Sequence, residues 1–557
     1  MRHTAPGKLL TAVVVGAVGL TLGLSGCTST SKPAGSSAVL TMEETPTGPL
    51  ARNFNPFNPN NAGNVQGTQA FVYEPLIQFN LAKAGQEYPW LASSYTWSNG
   101  GKTITFHLRK NVTWTDGKPF TSADVAYTYN LLRSNPALNT TGVTVSSARA
   151  TDADTVVLTF PQPSYSQLYY IANVGIVSQH IWSKVSDPAT YADPDPVGTG
   201  PFTLDTFNAQ GWSMTANPHY WQAGKPAVKK IQVPIFNDAS AATLALQQGK
   251  LDWGGNFITN IDKVFKARDP KHFDYWQPGY STVTIDPNTA VAPLNDLAVR
   301  QAVSAAIDRA QVSNAGTQGQ EPPALNGSGI VLPSQQTFLS ADLATYELKP
   351  DVSKAKSILT AAGYKMGSDG YFVSPSGKQL GFSLEQPSNY ADFMTDAQVV
   401  ATQLKAAGIK VDVTGVSVQK YTSDITNGTF QAAIHTGIAG STPYYQYDYW
   451  LNSALTAPVG KAAASNFSRY KSGAADKLLS QYKNSNDPAT QKAAIAGLGK
   501  IVATELPVIP LLYGANWAQF NTTRFTGFPS ASNPYTLPAP ASPYSEYTVL
   551  QLKPVSQ

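Results

Sequence analysis

A single cysteine, Cys27, among 557 residues excludes any disulfide within the chain and any zinc or iron–sulfur site built on cysteine. Charge is also sparse. Only 13% of residues are Asp, Glu, Lys or Arg, and 39 basic against 35 acidic side chains leave a formal +4. That balance speaks against nucleic acid or any strongly charged partner. The six histidines, His3, His107, His180, His219, His272 and His435, are scattered too widely for a metal-ligand spacing. No G-x-S-x-G, H-E-x-x-H or P-loop pattern occurs, no internal repeat is visible, and beyond the N-terminus no apolar run of membrane-spanning length appears.

What is present begins with MRHTAPGKLLTAVVVGAVGLTLGLSGC. Arg2 and Lys8 precede a short apolar run from Leu9 to Leu24, the layout of a secretory signal rather than of a resident span. The segment 1–26 is therefore expected to be removed. Leu24-Ser25-Gly26-Cys27 resembles the bacterial lipobox, which implies lipidation of Cys27 as the new N-terminus. Two acyl chains hold a protein stably on a membrane. Residues 27–38, CTSTSKPAGSSA, are small and polar enough to be a tether. Removing Arg2 and Lys8 leaves 37 basic and 35 acidic side chains, a net of +2 on about 530 residues, a length that usually makes more than one lobe. The expected location is the extracytoplasmic face of the cell membrane.

Periodicity gives mixed α/β. In TITFHLR, Ile104, Phe106 and Leu108 alternate with Thr103, Thr105, His107 and Arg109, a half-buried strand. A DG turn in WTDGKPF follows, and then Thr121 and Asp124 form a capping-box pattern ahead of a helical face carrying Val125, Tyr129 and Leu132. DVSKAKSILTAAGY places Ala355, Ile358, Leu359 and Ala362 on one helical face with Gly363 as C-cap. MTDAQVVATQLKAAGIKVDV reads as helix, Gly408, then a strand through Ile409, Val411 and Val413.

These residues carry a wider resemblance. YEPLIQFN (73–80), the long block from Pro89 to Leu132, VGTGPFTL (197–204), NPHYWQAGKP (217–226), PLNDLAVRQAVSAAIDR (293–309) and NFSRYKSGAADKLL (466–479) occur in the order of the family 5 extracytoplasmic solute-binding proteins. That family serves ABC importers of the oligopeptide, dipeptide and nickel type. The resemblance implies a two-lobed periplasmic-binding-protein type II-like α/β fold with an extra domain in the first lobe. It further implies a monomer that closes on a small oligomeric solute and docks on an ABC permease with its ATPase subunits, without cofactor, metal or nucleic acid. Lobe I is expected from 39–70, 194–285 and 515–557, the inserted domain from 71–193, and lobe II from 286–514.

The ligand site implied by the resemblance comprises Asn53, Phe54 and Asn55 with Thr436, Gly437, Ile438, Ala439, Tyr444, Tyr445, Tyr447 and Trp450. Most of these lie in IHTGIAGSTPYYQYDYW (434–450), a nearly uncharged run ending in five aromatics. Peptide-binding relatives resemble G-W-x-A-D-x-x-D-P here, with an Asp for the peptide amine. Setting Pro443 on that Pro puts Thr436 at the Trp and Ala439 at the Asp, so neither family residue is kept. Either Asp448 or another acid serves a peptide, or the solute lacks an ammonium. The C-terminal FTGFPSASNPYTLPAP (525–540) resembles β-oligosaccharide-binding members, and aromatic faces suit pyranose rings. The expectation leans slightly to a neutral oligosaccharide over an oligopeptide. The five aromatics could equally begin a helix and pack the second lobe. Catalytic carboxylate pairs have no local signature, so a secreted glycosidase-like enzyme is the alternative; the expectation is that the chain is not an enzyme.

Overall fold

The computed structural model describes residues 39–541 and 543–555. The expected leader, the lipidation site Cys27 and the tether lie outside the described residues.

The strand read from alternation forms at Thr103–Leu108, with Ile104, Phe106 and Leu108 buried. It pairs with 92–98 and 155–159 in a four-stranded antiparallel sheet. Behind it the DG turn closes as Gly117 N–H donates to the Trp114 carbonyl at 2.8 Å, with Gly117 at φ +83°, where glycine avoids the Cβ penalty. The Thr121 N–H then donates to Asp124 Oδ2 at 2.9 Å, the capping-box bond that starts the helix Ser122–Ser134. Val125, Tyr129 and Leu132 of that helix bury against the sheet's core. This unit is the extra domain.

Two larger sheets make the lobes. The first has seven strands in the order 273–275, 519–521, 253–254, 39–43, 230–234, 211–216, 202–208. Its middle strand is the first of the described chain, parallel to both neighbours. The second has five strands in the order 410–416, 381–387, 432–436, 279–287, 509–515, the first three parallel. Ile509–Ala515 is buried at every residue, as a strand covered on both faces must be. Gly279–Pro287 runs across the 285/286 division expected from the sequence and joins the five-stranded sheet from its first residue.

The helices of the second lobe largely follow their periodicity. Helix Val352–Ala361 buries Ala355 and Leu359 and half-buries Ile358. Ala362, expected on the same face, lies past the helix end and is exposed, because the chain has already turned into Gly363 at φ +86°. Gly408, at φ +81°, ends the helix Ala391–Ala406 and leads into the strand Lys410–Val416.

The chain passes between the two sheets only twice, at 276–278 and at 516–518. The crossings are paired: Trp276 N–H donates to the Ala518 carbonyl at 3.3 Å and Asn516 N–H to the Pro278 carbonyl at 2.9 Å. Two short adjacent segments are what a hinge between rigid lobes requires.

Candidate functional site

In open α/β sheets a ligand sits beyond the carboxyl ends of the parallel strands. In the first lobe the middle strand, Val39–Glu43, ends in Glu43 and Glu44. In the second lobe the parallel strands end at Pro387, Val416 and Thr436. Glu44, Tyr169, Tyr280 and Tyr544 are each half-buried, and burial raises the pKa of each. They come from four distant segments: the end of the first strand, the extra domain, the first strand of the second lobe and the C-terminal helix Tyr544–Gln551.

Tyrosines connect these segments. Tyr445 meets Tyr169 and Tyr170 edge-on, each at 5.3 Å between ring centroids. The loop after strand Ala432–Thr436 spans the seam: half-buried Ile438 packs on the second lobe's helical core and half-buried Ala439 on the first lobe's core. A groove of about 730 Å³ runs between the extra domain and the second lobe, lined by Phe79, Tyr95, Trp97, Tyr165, Phe338 and Tyr445 among others.

The residues assigned from sequence divide sharply. Thr436, Ile438, Ala439 and Tyr445 lie at the seam, Thr436 as the exposed end of its strand. Gly437 serves packing: its N–H donates to the Thr282 carbonyl at 2.8 Å, and a Cβ there would lie 3.1 Å from the Trp450 ring. Tyr447 and Trp450 must be corrected to core residues. Both sit on the helix Tyr444–Leu451 and are almost wholly buried, Tyr447 donating to the Ser328 carbonyl at 2.9 Å. Tyr444 stacks on Tyr482 at 4.1 Å. The aromatics follow a helical packing period rather than a ligand surface.

Asn53, Phe54 and Asn55 are corrected in the same way. Phe54 is buried edge-on against Phe207 and Trp212, each at 5.9 Å. Asn55 Nδ2 donates to the Pro188 and Tyr191 carbonyls at 3.0 and 2.8 Å, and Asn53 Oδ1 accepts from the Asn55 N–H. The Asn55 side chain ties the N-terminal segment to residues near 190, and Phe54 anchors it in the core. Asp448, the fallback acid, faces Asn452, whose Nδ2 donates to it at 2.8 Å, and lines a separate cavity of about 450 Å³ beside Lys483.

Sequence reasoning missed the acids. Glu43 is fully buried; Asn256 donates to its Oε2 at 2.7 Å and its Oε1 has no partner. Oε2 of Glu44 and Oε2 of Glu321 are also enclosed without a hydrogen-bond partner. Burial pushes Glu43 up to about 7, and burial with the neighbouring Glu43 charge pushes Glu44 up to about 8. Burial likewise raises Glu321 to about 7. The signal available in sequence was the Glu-Glu pair closing an apolar strand in a chain so poor in charge.

Two α/β lobes joined by paired crossings define a solute-receptor fold of the periplasmic-binding-protein type II-like class, with the extra domain added. The chain belongs to the bacterial extracellular solute-binding proteins, family 5, whose middle region matches residues 86–457, and so to the solute-binding proteins of ABC importers. Similar proteins include Protein XP55 of Streptomyces lividans, 28% identical over 73% of this chain and 72% of that one. The nickel-binding periplasmic protein of Escherichia coli (strain K12) is 25% identical over 69% of this chain and 73% of its own. A periplasmic oligopeptide-binding protein of an oligopeptide ABC transporter from Thermotoga maritima superposes with a TM-score of 0.83 at 25% identity, covering 94% of this chain and 100% of that one. Its mannohexaose-bound form gives 0.72 at 24% identity, covering 94% and 99%.

Proposed function

We propose that this protein is the receptor of an ABC importer that captures an oligosaccharide between its lobes and delivers it to a membrane permease driven by ATPase subunits. It works as a lipid-anchored monomer held through Cys27 and performs no chemistry on its ligand. The first lobe comprises 39–70, 194–278 and 516–557, the inserted domain 71–193 and the second lobe 279–515, with the boundaries moved so that strands Gly279–Pro287 and Ile509–Ala515 stay whole.

The observation that carries the ligand reading is a set of tyrosines at the seam between the lobes. Tyr169, Tyr280, Tyr445 and Tyr544 come from separate segments, and with Pro443 set on the peptide-type motif's Pro, Ala439 takes the place of its amine-binding Asp. Tyrosine offers an apolar face for a sugar ring and a hydroxyl for its oxygens. The mannohexaose complex of the similar Thermotoga protein supports the same class. Calorimetry with manno-, cello- and xylo-oligomers, paired with small-angle scattering, tests it. A bound saccharide should reduce the radius of gyration as the lobes close about 276–278 and 516–518. Tight binding of unmodified peptides with no response to any saccharide would overturn the reading.

A further inference from the structure

The groove of about 730 Å³ takes its walls from the extra domain and the second lobe, and none of its lining residues belongs to the seven-stranded sheet of the first lobe. Its size is that of an ordinary ligand site. Two backbone bonds hold the walls together: Ala84 N–H donates to the Ser334 carbonyl and Gly85 N–H to the Ser441 carbonyl, each at 2.9 Å. Because the extra domain belongs to the first lobe, opening about the crossings would part these bonds and the groove with them.

One wall is the edge of the extra domain's sheet. On its edge strand, 92–98, Tyr95 and Trp97 stand directly opposite Phe106 and Ile104 and share their face. Phe106 and Ile104 are wholly buried, whereas Tyr95 and Trp97 stay half-buried and open onto the groove. Tyr165, also half-buried, meets Trp97 edge-on at 5.1 Å. The opposite wall, from the second lobe, is more polar. The hydroxyls of Thr442 and Tyr482 share a hydrogen bond at 3.0 Å, while the side chains of Asn486 and Lys492 make no hydrogen bond or ion pair among the described residues. The charged residues of the lining are one of each sign, Lys492 and Glu87, the latter accepting from the Tyr95 hydroxyl at 3.0 Å. Phe79 and Tyr445 both pack on Tyr169, at 5.2 and 5.3 Å between ring centroids, so the groove ends one ring away from the tyrosines of the seam.

Accessible aromatic faces on one side, uncommitted donors on the other and no net charge fit a neutral chain of pyranose rings. We propose that this groove is an outer saccharide subsite. An oligosaccharide held at the seam continues past Tyr445 into the groove, where its outer units lie on Tyr95, Trp97 and Tyr165 and accept hydrogen bonds from Asn486 and Lys492. This rests on the saccharide reading of the proposed function and adds selectivity for chain length, because a short oligomer fills the seam alone. A long one also bridges the extra domain and the second lobe, and so favours the closed arrangement.

The test is calorimetry with the trisaccharides and hexasaccharides of the manno- and cello-series. Wild type is compared with Trp97→Ala and with the double variant Asn486→Ala/Lys492→Ala on the opposite wall, and thermal melting confirms folding. In the series that binds, the hexasaccharide should bind wild type at least about tenfold more tightly than the trisaccharide. Each variant should remove most of that gain and leave the affinity for the trisaccharide unchanged. The double variant changes two exposed side chains, so it keeps the test readable if Trp97→Ala fails to fold. Affinity independent of chain length, or a gain that survives in the folded variants, overturns the subsite and leaves the saccharide reading intact. Equal weakening of short and long oligomers also overturns it, because these residues would then act through the fold or the seam. Failure of every saccharide to bind folded wild type overturns the proposed function, and the subsite with it.

Discussion

Two groups of buried carboxyls in this molecule have opposite surroundings. Glu74 and Glu546 lie in the interior of the first lobe, where Glu74 accepts from Trp90 Nε1 at 2.9 Å, the Tyr220 hydroxyl at 2.8 Å and Trp221 Nε1 at 2.9 Å. Glu546 accepts from Gln78 Nε2 and, at 3.2 Å, from Trp90 Nε1. Burial raises both carboxyls, and the neighbouring Glu74 charge raises Glu546 further, so one keeps its proton. Glu44 and Glu321 are raised by burial as well, but Oε2 of each accepts no hydrogen bond from the protein. Burial alone therefore does not distinguish the two groups; the donors around each acid do.

Removing an architectural acid should have the largest effect. In Glu74→Ala, three aromatic donors lose their acceptor, two of them, Trp90 and Tyr220, on buried side chains. Stability should fall by about 3–5 kcal/mol, the range for breaking a buried polar network. Urea denaturation measures it. A loss below about 1 kcal/mol would break the comparison, because the network would then be replaceable by packing.

The same distinction governs what the sequence disclosed. Alternation and caps located Thr103–Leu108, Ser122–Ser134 and Ala391–Ala406, since those elements answer to local patterns of burial and turn chemistry. The long run of family-like blocks carried the two-lobed fold. Of the residues assigned to the site from sequence, Thr436, Ile438, Ala439 and Tyr445 lie at the seam between the lobes. Tyr447 and Trp450 were read as ligand-facing, but a helix one turn later presents them to its own core. Asn53–Asn55 were misplaced for a related reason, as their amides and ring satisfy backbone and core near 190. Glu44, Tyr169, Tyr280, Glu321 and Tyr544 meet only through tertiary structure, across as many as 500 residues of sequence, and no local period announces them.

An intermediate effect is expected from pH. Glu43 and Glu321 are raised to about 7, and Glu44 and Asp396 to about 8, above the unfolded values near 4. A carboxyl with a raised folded pKa binds its proton more tightly when folded. Its contribution is therefore fully present below about pH 4 and is lost as pH rises through 7 to 8. Unliganded protein should melt at a lower temperature at pH 9 than at pH 5.5, by differential scanning calorimetry, apart from any acid unfolding below that range. The double variant Glu44→Gln/Glu321→Gln should flatten part of this slope. A slope of the opposite sign in wild type would mean that these acids are ionised and already paired.

The smallest effect should come from the isosteric change at the seam, and it separates the two regions most directly. Glutamine keeps the shape of glutamate but replaces one acceptor oxygen by a donor. At Glu546, where Gln78 and Trp90 both donate inward, Glu546→Gln would set donor against donor and cost about 1–3 kcal/mol. At Glu44 no donor faces Oε2, so Glu44→Gln forfeits no bond, and it removes a group that burial penalises when charged. Its unliganded stability at neutral pH should stay within about 0.5 kcal/mol of wild type or rise slightly. Equilibrium denaturation of the two variants side by side reads the difference. A loss at Glu44 as large as that at Glu546 would show that its carboxyl has a structural partner in solution, and the two groups would then not differ in their donors.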